Sequence, residues 1–140
     1  MVVPMNIKAD KILSIFLWLI AIHSFLVGIG LIILPSSAFE FLGFDPTIDR
    51  FFSTQGGVFH IAMSVGYAMA GYDKIKYKQL IVFTIIVKFI ATVFLITYFV
   101  FIGSYWMIIL SGISDLLMGV IVMYLYKALI KKSYFDRESI

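Results

Sequence analysis

The sequence predicts an all-α integral membrane protein, an antiparallel bundle of four transmembrane helices with a short interfacial helix in the first outer loop. Two observations lead to this class. The 140 residues are 62% hydrophobic and only 14% charged, with a mean hydropathy of +1.05, so the chain lacks the polar residues that would cover a water-exposed surface. The apolar residues also fall into four stretches, each near the ~20 residues that cross a bilayer.

The four stretches are interpreted in order as helices of a single transmembrane domain, residues 1–140. The first extends over about 12–34 and ends before Pro35. It is too long for the apolar region of a signal peptide, so we expect it to remain as a helix. The others extend over about 51–72, 80–102 and 106–129, and at about 1.5 Å per residue each can span ~30 Å of hydrocarbon.

Basic residues indicate the orientation of these helices, because cytoplasmic loops retain Lys and Arg. Those that would share one side are Lys8, Lys11, Lys74, Lys76, Lys78, Lys127, Lys131, Lys132 and Arg137. The opposite side has Arg50. We therefore expect a cell (inner or plasma) membrane protein with both termini in the cytoplasm. The expected partner of these cations is the anionic lipid headgroup, not nucleic acid, because they flank helix ends.

The first outer loop carries signals for a short helix of its own. Ser37 and Glu40 have the spacing of a capping box, and Gly43 can end the helix in a left-handed conformation. Asp45 and Pro46 then favour a new turn. The apolar side chains of this segment suit the headgroup boundary, so we expect it to lie on the membrane; the alternative is an ordinary connecting loop.

One charged or histidine residue lies near the middle of each predicted helix: His23, His60, Lys88 and Asp115. Counted from the cytoplasmic ends, all four lie roughly 15–18 Å deep, near the bilayer midplane. Such residues cost on the order of 2.5–3.5 kcal/mol each to insert and normally face the bundle interior. Lys88 and Asp115 lie on consecutive antiparallel helices at depths ~3 Å apart, so we expect them to form a hydrogen-bonded ion pair.

Small and hydroxylated residues share the helix face of three of these side chains. At spacings of three or four residues they are Gly56, Gly57 and Ser64 beside His60, Thr84, Ala91 and Thr92 beside Lys88, and Ser111, Gly112 and Gly119 beside Asp115. This composition is typical of helix contacts in membranes. The neighbours of His23 are leucine and valine, so its face is either lipid-exposed or packed without function.

Two interpretations of this polar layer remain open. It is either a set of polar packing contacts that fixes the helix register or the lining of a ligand pocket or proton path. The candidates for ligand or proton handling are His60, Lys88, Asp115, His23, Ser64, Thr84, Thr92 and Ser111.

The sequence names no catalytic residues, and it leaves open whether the protein is an enzyme. Ser111, His60 and Asp115 could in principle form a nucleophilic triad, but the G-x-S-x-G turn is missing. No metal site is expected, since the chain has no Cys and two His are few for zinc. The two His could ligate haem, but no other residues indicate a porphyrin pocket, and the cofactor stays unknown.

Glycine-based motifs occur in a recognisable order along the chain. The first helix ends in G-x-x-x-x-P (Gly30 to Pro35), the second begins R-x-x-x-x-x-G-G (Arg50 to Gly57), and the V-K-F and S-D-L-L patches contain Lys88 and Asp115. In these features the chain resembles the small DoxX-like and BphX-like four-helix membrane proteins. The resemblance implies the fold and topology given above. Some members look like membrane subunits of quinone-linked oxidoreductases or like assembly factors, and no agreed catalytic set is implied.

Two hypotheses for the function follow. In the first, the chain is a ligand-binding protein or a redox-complex-associated membrane subunit, and its midplane layer handles a hydrophobic small molecule, with quinone as the ligand that the resemblance implies. In the second, it is an assembly partner of a larger membrane complex or a homo-oligomer, and the layer is packing glue. Quinone or lipid that co-purifies with the protein would favour the first, and a ligand-free oligomer the second.

Overall fold

A computed structural model of the protein describes residues 7–44, 50–131 and 135, with side chains from residue 9 onward. These residues form helices without strands: α1 (Ile7–Ile33), α2 (Ser36–Phe41), α3 (Arg50–Tyr72), α4 (Lys78–Phe101) and α5 (Trp106–Ile130). The all-α prediction is confirmed for this part of the chain. The Asp45-Pro46 turn, Lys132, Arg137 and the side chain of Lys8 lie outside the described residues.

The helix bounds agree with the apolar stretches except at the start of α1. This helix begins at Ile7, five residues before the predicted start, because its first turn is polar and hydropathy detects only the apolar part. Three helices, α1, α4 and α5, are long and apolar enough to cross a membrane. The 23 residues of α3 make it nearly as long, but its glycines, hydroxyl residues and Gln55 make it less apolar.

Glycines bring α1 and α3 into close antiparallel contact. A Cβ atom added at Gly57 would lie 2.6 Å from the backbone oxygen of Gly28, and one added at Gly28 would lie 2.7 Å from the oxygen of Gly57. At the other end of the pair, the Ser14 hydroxyl donates to the Gly71 carbonyl. Small residues thus let the two backbones touch, as is common for helices in membranes.

The second close pair is α4 and α5, which are also antiparallel. Gly112 packs against Leu95, and Gly119 packs against Lys88, whose Cβ would lie 3.2 Å from an added Cβ. Further contacts join α1 to α5 and α3 to α4. The four long helices therefore contact one another in the cyclic order α1, α3, α4, α5.

Described cations cluster at one end of the four helices, which we call the basic end; the other is the α2 end. The basic end holds Lys11, Lys74, Lys76, Lys78, Lys127 and Lys131. Lys74 forms an ion pair with Asp10 at 3.1 Å, which joins α1 to the α3–α4 turn. Asp73 accepts the backbone N–H groups of Ile75 and Lys76 within that turn.

The α2 end is closed by a short segment that reaches from α1 to α5. The structure corrects the predicted capping box: α2 begins at Ser36, one residue before Ser37, and its N-cap residue is Pro35. Proline has no side-chain oxygen to accept from the first N–H groups, so the helix lacks a side-chain cap. The left-handed Gly43 is confirmed, with φ +91°. Beyond it, the rings of Phe44 and Tyr105 lie 5.8 Å apart.

Arg50, the first residue of α3, ties α3 to the end of α1. Its guanidinium donates to the backbone oxygens of Ile32 and Leu34, both at 2.9 Å. These carbonyls belong to the last turn of α1 and the residue after it, where helical carbonyls lack partners within the helix. Arg50, the described cation at the α2 end, therefore has a local role in capping.

The apolar core that joins both helix pairs is confined to the basic half. Its buried members are Leu13, Leu17, Ile20, Ala21, Tyr67, Ala70, Ile81, Val122, Leu125 and Leu129. Residues about five turns apart on one helix point in the same direction, which allows the two halves to be compared. On α3, Ala70 is 0% exposed and Phe52 is 66% exposed; on α5, Leu129 is buried and Ser111 is half-buried. At these positions the inner faces are buried in the basic half and partly open in the α2 half, although Ile108 near the start of α5 is 6% exposed.

Candidate functional site

Lys88 and Asp115 form the predicted ion pair at the edge of the apolar core that faces the α2 end. Lys88 Nζ lies 2.6 Å from Asp115 Oδ1. The lysine is 5% exposed as a residue, and the carboxylate side chain is 13% exposed. Gly119 allows this approach, because the Lys88 side chain crosses the α4–α5 contact at a position without a side chain on α5.

Tyr67 is a member of the layer that the sequence reasoning missed. Lys88 Nζ lies 5.7 Å from the centre of the Tyr67 ring, within the distance at which a cation is attracted by an aromatic face. The tyrosine is only 2% exposed. A signal was present, since Tyr67 follows His60 by seven residues and therefore shares its helix face.

His60 is held by a second residue that the sequence reasoning missed, Ser24 of α1. The Ser24 hydroxyl oxygen lies 3.3 Å from His60 Nδ1 and 3.0 Å from the His60 backbone oxygen. Ser24 is 2% exposed, whereas the imidazole is half-buried. The spacing of Ser24 and Gly28 is the small-residue pattern of helix contacts, which could have identified this face of α1.

His23 is exposed on the surface of the described structure. Of the two alternatives for its face, packed or exposed, the structure shows the exposed one. His60, by contrast, is half-buried and bonded to Ser24.

Three of the hydroxyl candidates bond within their own helices. Ser64 donates to the Ile61 carbonyl at 2.6 Å, Thr84 to Leu80 at 2.7 Å and Thr92 to Lys88 at 2.8 Å. All three residues are buried. Their protons are satisfied locally, so they can offer a ligand only oxygen lone pairs.

The arrangement suits binding of a polar group more than the covalent chemistry of a nucleophile. The ion pair is satisfied internally, and the Tyr67 ring lies beside the ammonium. Among the described residues, no group of three or more His, Cys, Asp and Glu could hold a metal ion. The half-buried groups that remain available are the His60 imidazole and Ser111, on helices of the two different pairs. The layer can therefore hold a small polar head between the pairs.

Comparisons with known proteins add no family to this geometry. Scans against protein-family models, curated proteins and solved structures found no match to the chain.

Proposed function

We propose that this protein binds a hydrophobic small molecule in the membrane and holds its polar head, quinone-like in character, in the midplane layer. The ligand-binding protein either acts alone or serves as a membrane subunit of a redox complex. The observation that carries the proposal is the position of the layer. Lys88, Asp115, Tyr67 and His60 lie where the buried core ends and the partly open half begins. A ligand whose polar head lies at this boundary contacts these polar groups, while its apolar part extends toward the α2 end.

The proposal includes a four-span arrangement in which α3 also crosses the membrane. Its support is the cyclic contact of the four long helices and the antiparallel fit of α3 along α1. The proposal puts both termini on the cytoplasmic side of a cell membrane, because the positive-inside rule assigns the basic end to that side.

Cysteine labelling tests this topology, since the native chain contains no Cys. Ser37→Cys at the α2 end should react with a membrane-impermeant thiol reagent added to intact cells. Lys76→Cys, in the α3–α4 turn at the basic end, should react only after permeabilisation. Both positions are exposed, so burial does not bias the comparison. The reverse pattern would refute the proposed orientation, and reaction of both in intact cells would refute the span by α3.

Ligand binding is tested by filling the partly open half of the layer. Ser111→Phe places a ring on the half-buried inner face of α5, so binding of a short-chain alkylbenzoquinone in nanodiscs should weaken by about tenfold or more, as overpacking costs of 1–3 kcal/mol imply. The matched control is Leu110→Phe, because Leu110 is the adjacent residue and is 53% exposed. It should bind as the wild type does. Equal binding by both variants, or a wild type that binds neither the alkylbenzoquinone nor its hydroquinone, would contradict the proposal.

A second candidate function, self-association or docking to a membrane partner, is favoured by Gly66. No atom of another helix in the described part of the chain lies within 4 Å of a Cβ added at Gly66, whereas Gly57 and Gly71 on the same helix are closely packed. Ala62, one turn earlier, is exposed. Two small residues four apart on an open face allow a second helix to approach closely.

Crosslinking in native membranes checks this alternative. Gly66→Leu should abolish a crosslinked dimer or complex if α3 uses this face, because leucine prevents backbone approach. Val65→Leu is the control, since Val65 is exposed and already bulky. An identical crosslinking pattern in both variants would remove the small-residue face from consideration.

A further inference from the structure

The hydrogen bonds between Ser24 and His60 determine which imidazole nitrogen carries the proton. The Ser24 hydroxyl has one proton and two partners, the His60 backbone oxygen at 3.0 Å and Nδ1 at 3.3 Å. A carbonyl oxygen can only accept. Were the proton directed to Nδ1, two oxygens would face each other at 3.0 Å with no proton between them. Ser24 is 2% exposed, so solvent does not relieve that contact.

The Ser24 hydroxyl therefore donates its proton to the His60 carbonyl oxygen. Nδ1 must then carry a hydrogen and donate it to the Ser24 oxygen. In a neutral imidazole only one nitrogen carries hydrogen, and the bond made by one nitrogen sets the state of the other. Nε2 is then left with a lone pair. No hydrogen bond reaches Nε2 from the described part of the chain.

We infer that His60 presents Nε2 as a hydrogen-bond acceptor, and that the ligand of this site carries a hydroxyl donor on its polar head. A hydrophobic phenol, alcohol or hydroquinone can donate to this nitrogen, whereas a ketone, ether or oxidised quinone has no proton to offer it. This inference rests on the proposed function and narrows it. A ligand that offers only acceptor oxygens would have to use the remaining N–H protons of the Lys88 ammonium, whose one bond in the structure is to Asp115.

Ser24 is a positioning residue in this scheme, since it acts on the ligand only through His60. Ser14 provides the matched control. It lies on the same helix and also donates to a carbonyl of α3, but that carbonyl belongs to Gly71, far from the histidine along the helix. Ser14→Ala removes one interhelical hydrogen bond. Ser24→Ala removes the bond to the His60 carbonyl and also the bond with Nδ1, so only this change affects the imidazole.

The first measurement is nitrogen NMR on protein labelled at its histidine nitrogens, in lipid nanodiscs. His23→Gln assigns the two residues. His60 should show a protonated Nδ1 and an unprotonated Nε2. Ser24→Ala should disturb this state, and Ser14→Ala should leave it unchanged. A protonated Nε2 in the wild type, or a spectrum unaffected by Ser24→Ala, would overturn the inference whatever the protein binds.

The second measurement titrates the same sample with para-decylphenol and with its methyl ether, para-decylanisole, which lacks the donor. The phenol should shift the His60 Nε2 signal saturably and bind about tenfold more tightly, the value of one neutral hydrogen bond. Equal affinity would overturn the hydroxyl preference and leave the proposed binding function standing. Absence of binding by both probes and by an alkylbenzoquinone would overturn the binding function itself.

Discussion

Lys88→Met is expected to lower the free energy of unfolding by about 3–5 kcal/mol, the usual effect of stranding one member of a buried ion pair. Methionine has nearly the volume of the lysine stem, so packing against Gly119 is kept. The loss of stability then reports the removal of the positive charge alone. Asp115, whose side chain is 13% exposed, would be left without the ammonium. Denaturation of the detergent-solubilised protein by SDS, followed by tryptophan fluorescence, measures the change.

The double variant Lys88→Met with Asp115→Leu should recover much of this loss. Two apolar side chains leave no uncompensated charge, and the coupling between the two changes reports their interaction. Asp115→Leu alone should be as damaging as Lys88→Met alone. Additive losses in the double variant would show that the contact contributes nothing to stability. A stable double variant that still binds ligand would assign the pair to packing, and a stable one that does not would assign it to the site.

Gly57→Ala is expected to destabilise the fold by about 1–3 kcal/mol, because the added methyl group overpacks the α1–α3 contact. The Cβ would lie 2.6 Å from the backbone oxygen of Gly28 and 2.7 Å from Ile32 Cγ1. A side chain can turn away, but a carbonyl within a helix cannot move without the helix. The two helices must therefore separate.

Gly66→Ala provides the control on the same helix. No atom lies within 4 Å of the new Cβ, and alanine favours helix over glycine by about 1 kcal/mol, so this variant should be as stable as the wild type or more stable. The same SDS titration compares both variants. Equal stability of Gly57→Ala and Gly66→Ala would show that the close approach of α1 and α3 is absent in the membrane.

Depth along a helix was predictable from the sequence, and rotation about the helix axis was not. Lys88 and Asp115 were matched by counting residues from the helix ends, and they are paired in the structure at 2.6 Å. On α1 the same count selected His23, yet the buried residue that bonds His60 is its neighbour Ser24. One residue changes height by only ~1.5 Å but direction by about 100°.

The missed residues share a second cause. The location of Tyr67 could not be assigned from the sequence, because its role depends on the ammonium of a residue on another helix. The capping box at Ser37 failed for a related reason. Its spacing was correct, but Pro35 set the start of α2 first.

The sequence by itself determined the all-α class, the approximate bounds of the long helices and the cluster of cations at one end. These properties follow from local composition, since an apolar stretch of sufficient length and its flanking Lys residues are read along the chain. Only the tertiary structure decided which faces meet, where the core stops and which hydroxyl holds His60. Those outcomes depend on how closely two backbones can approach at Gly28 and Gly57. That distance is set by both helices together, so neither sequence segment determines it alone.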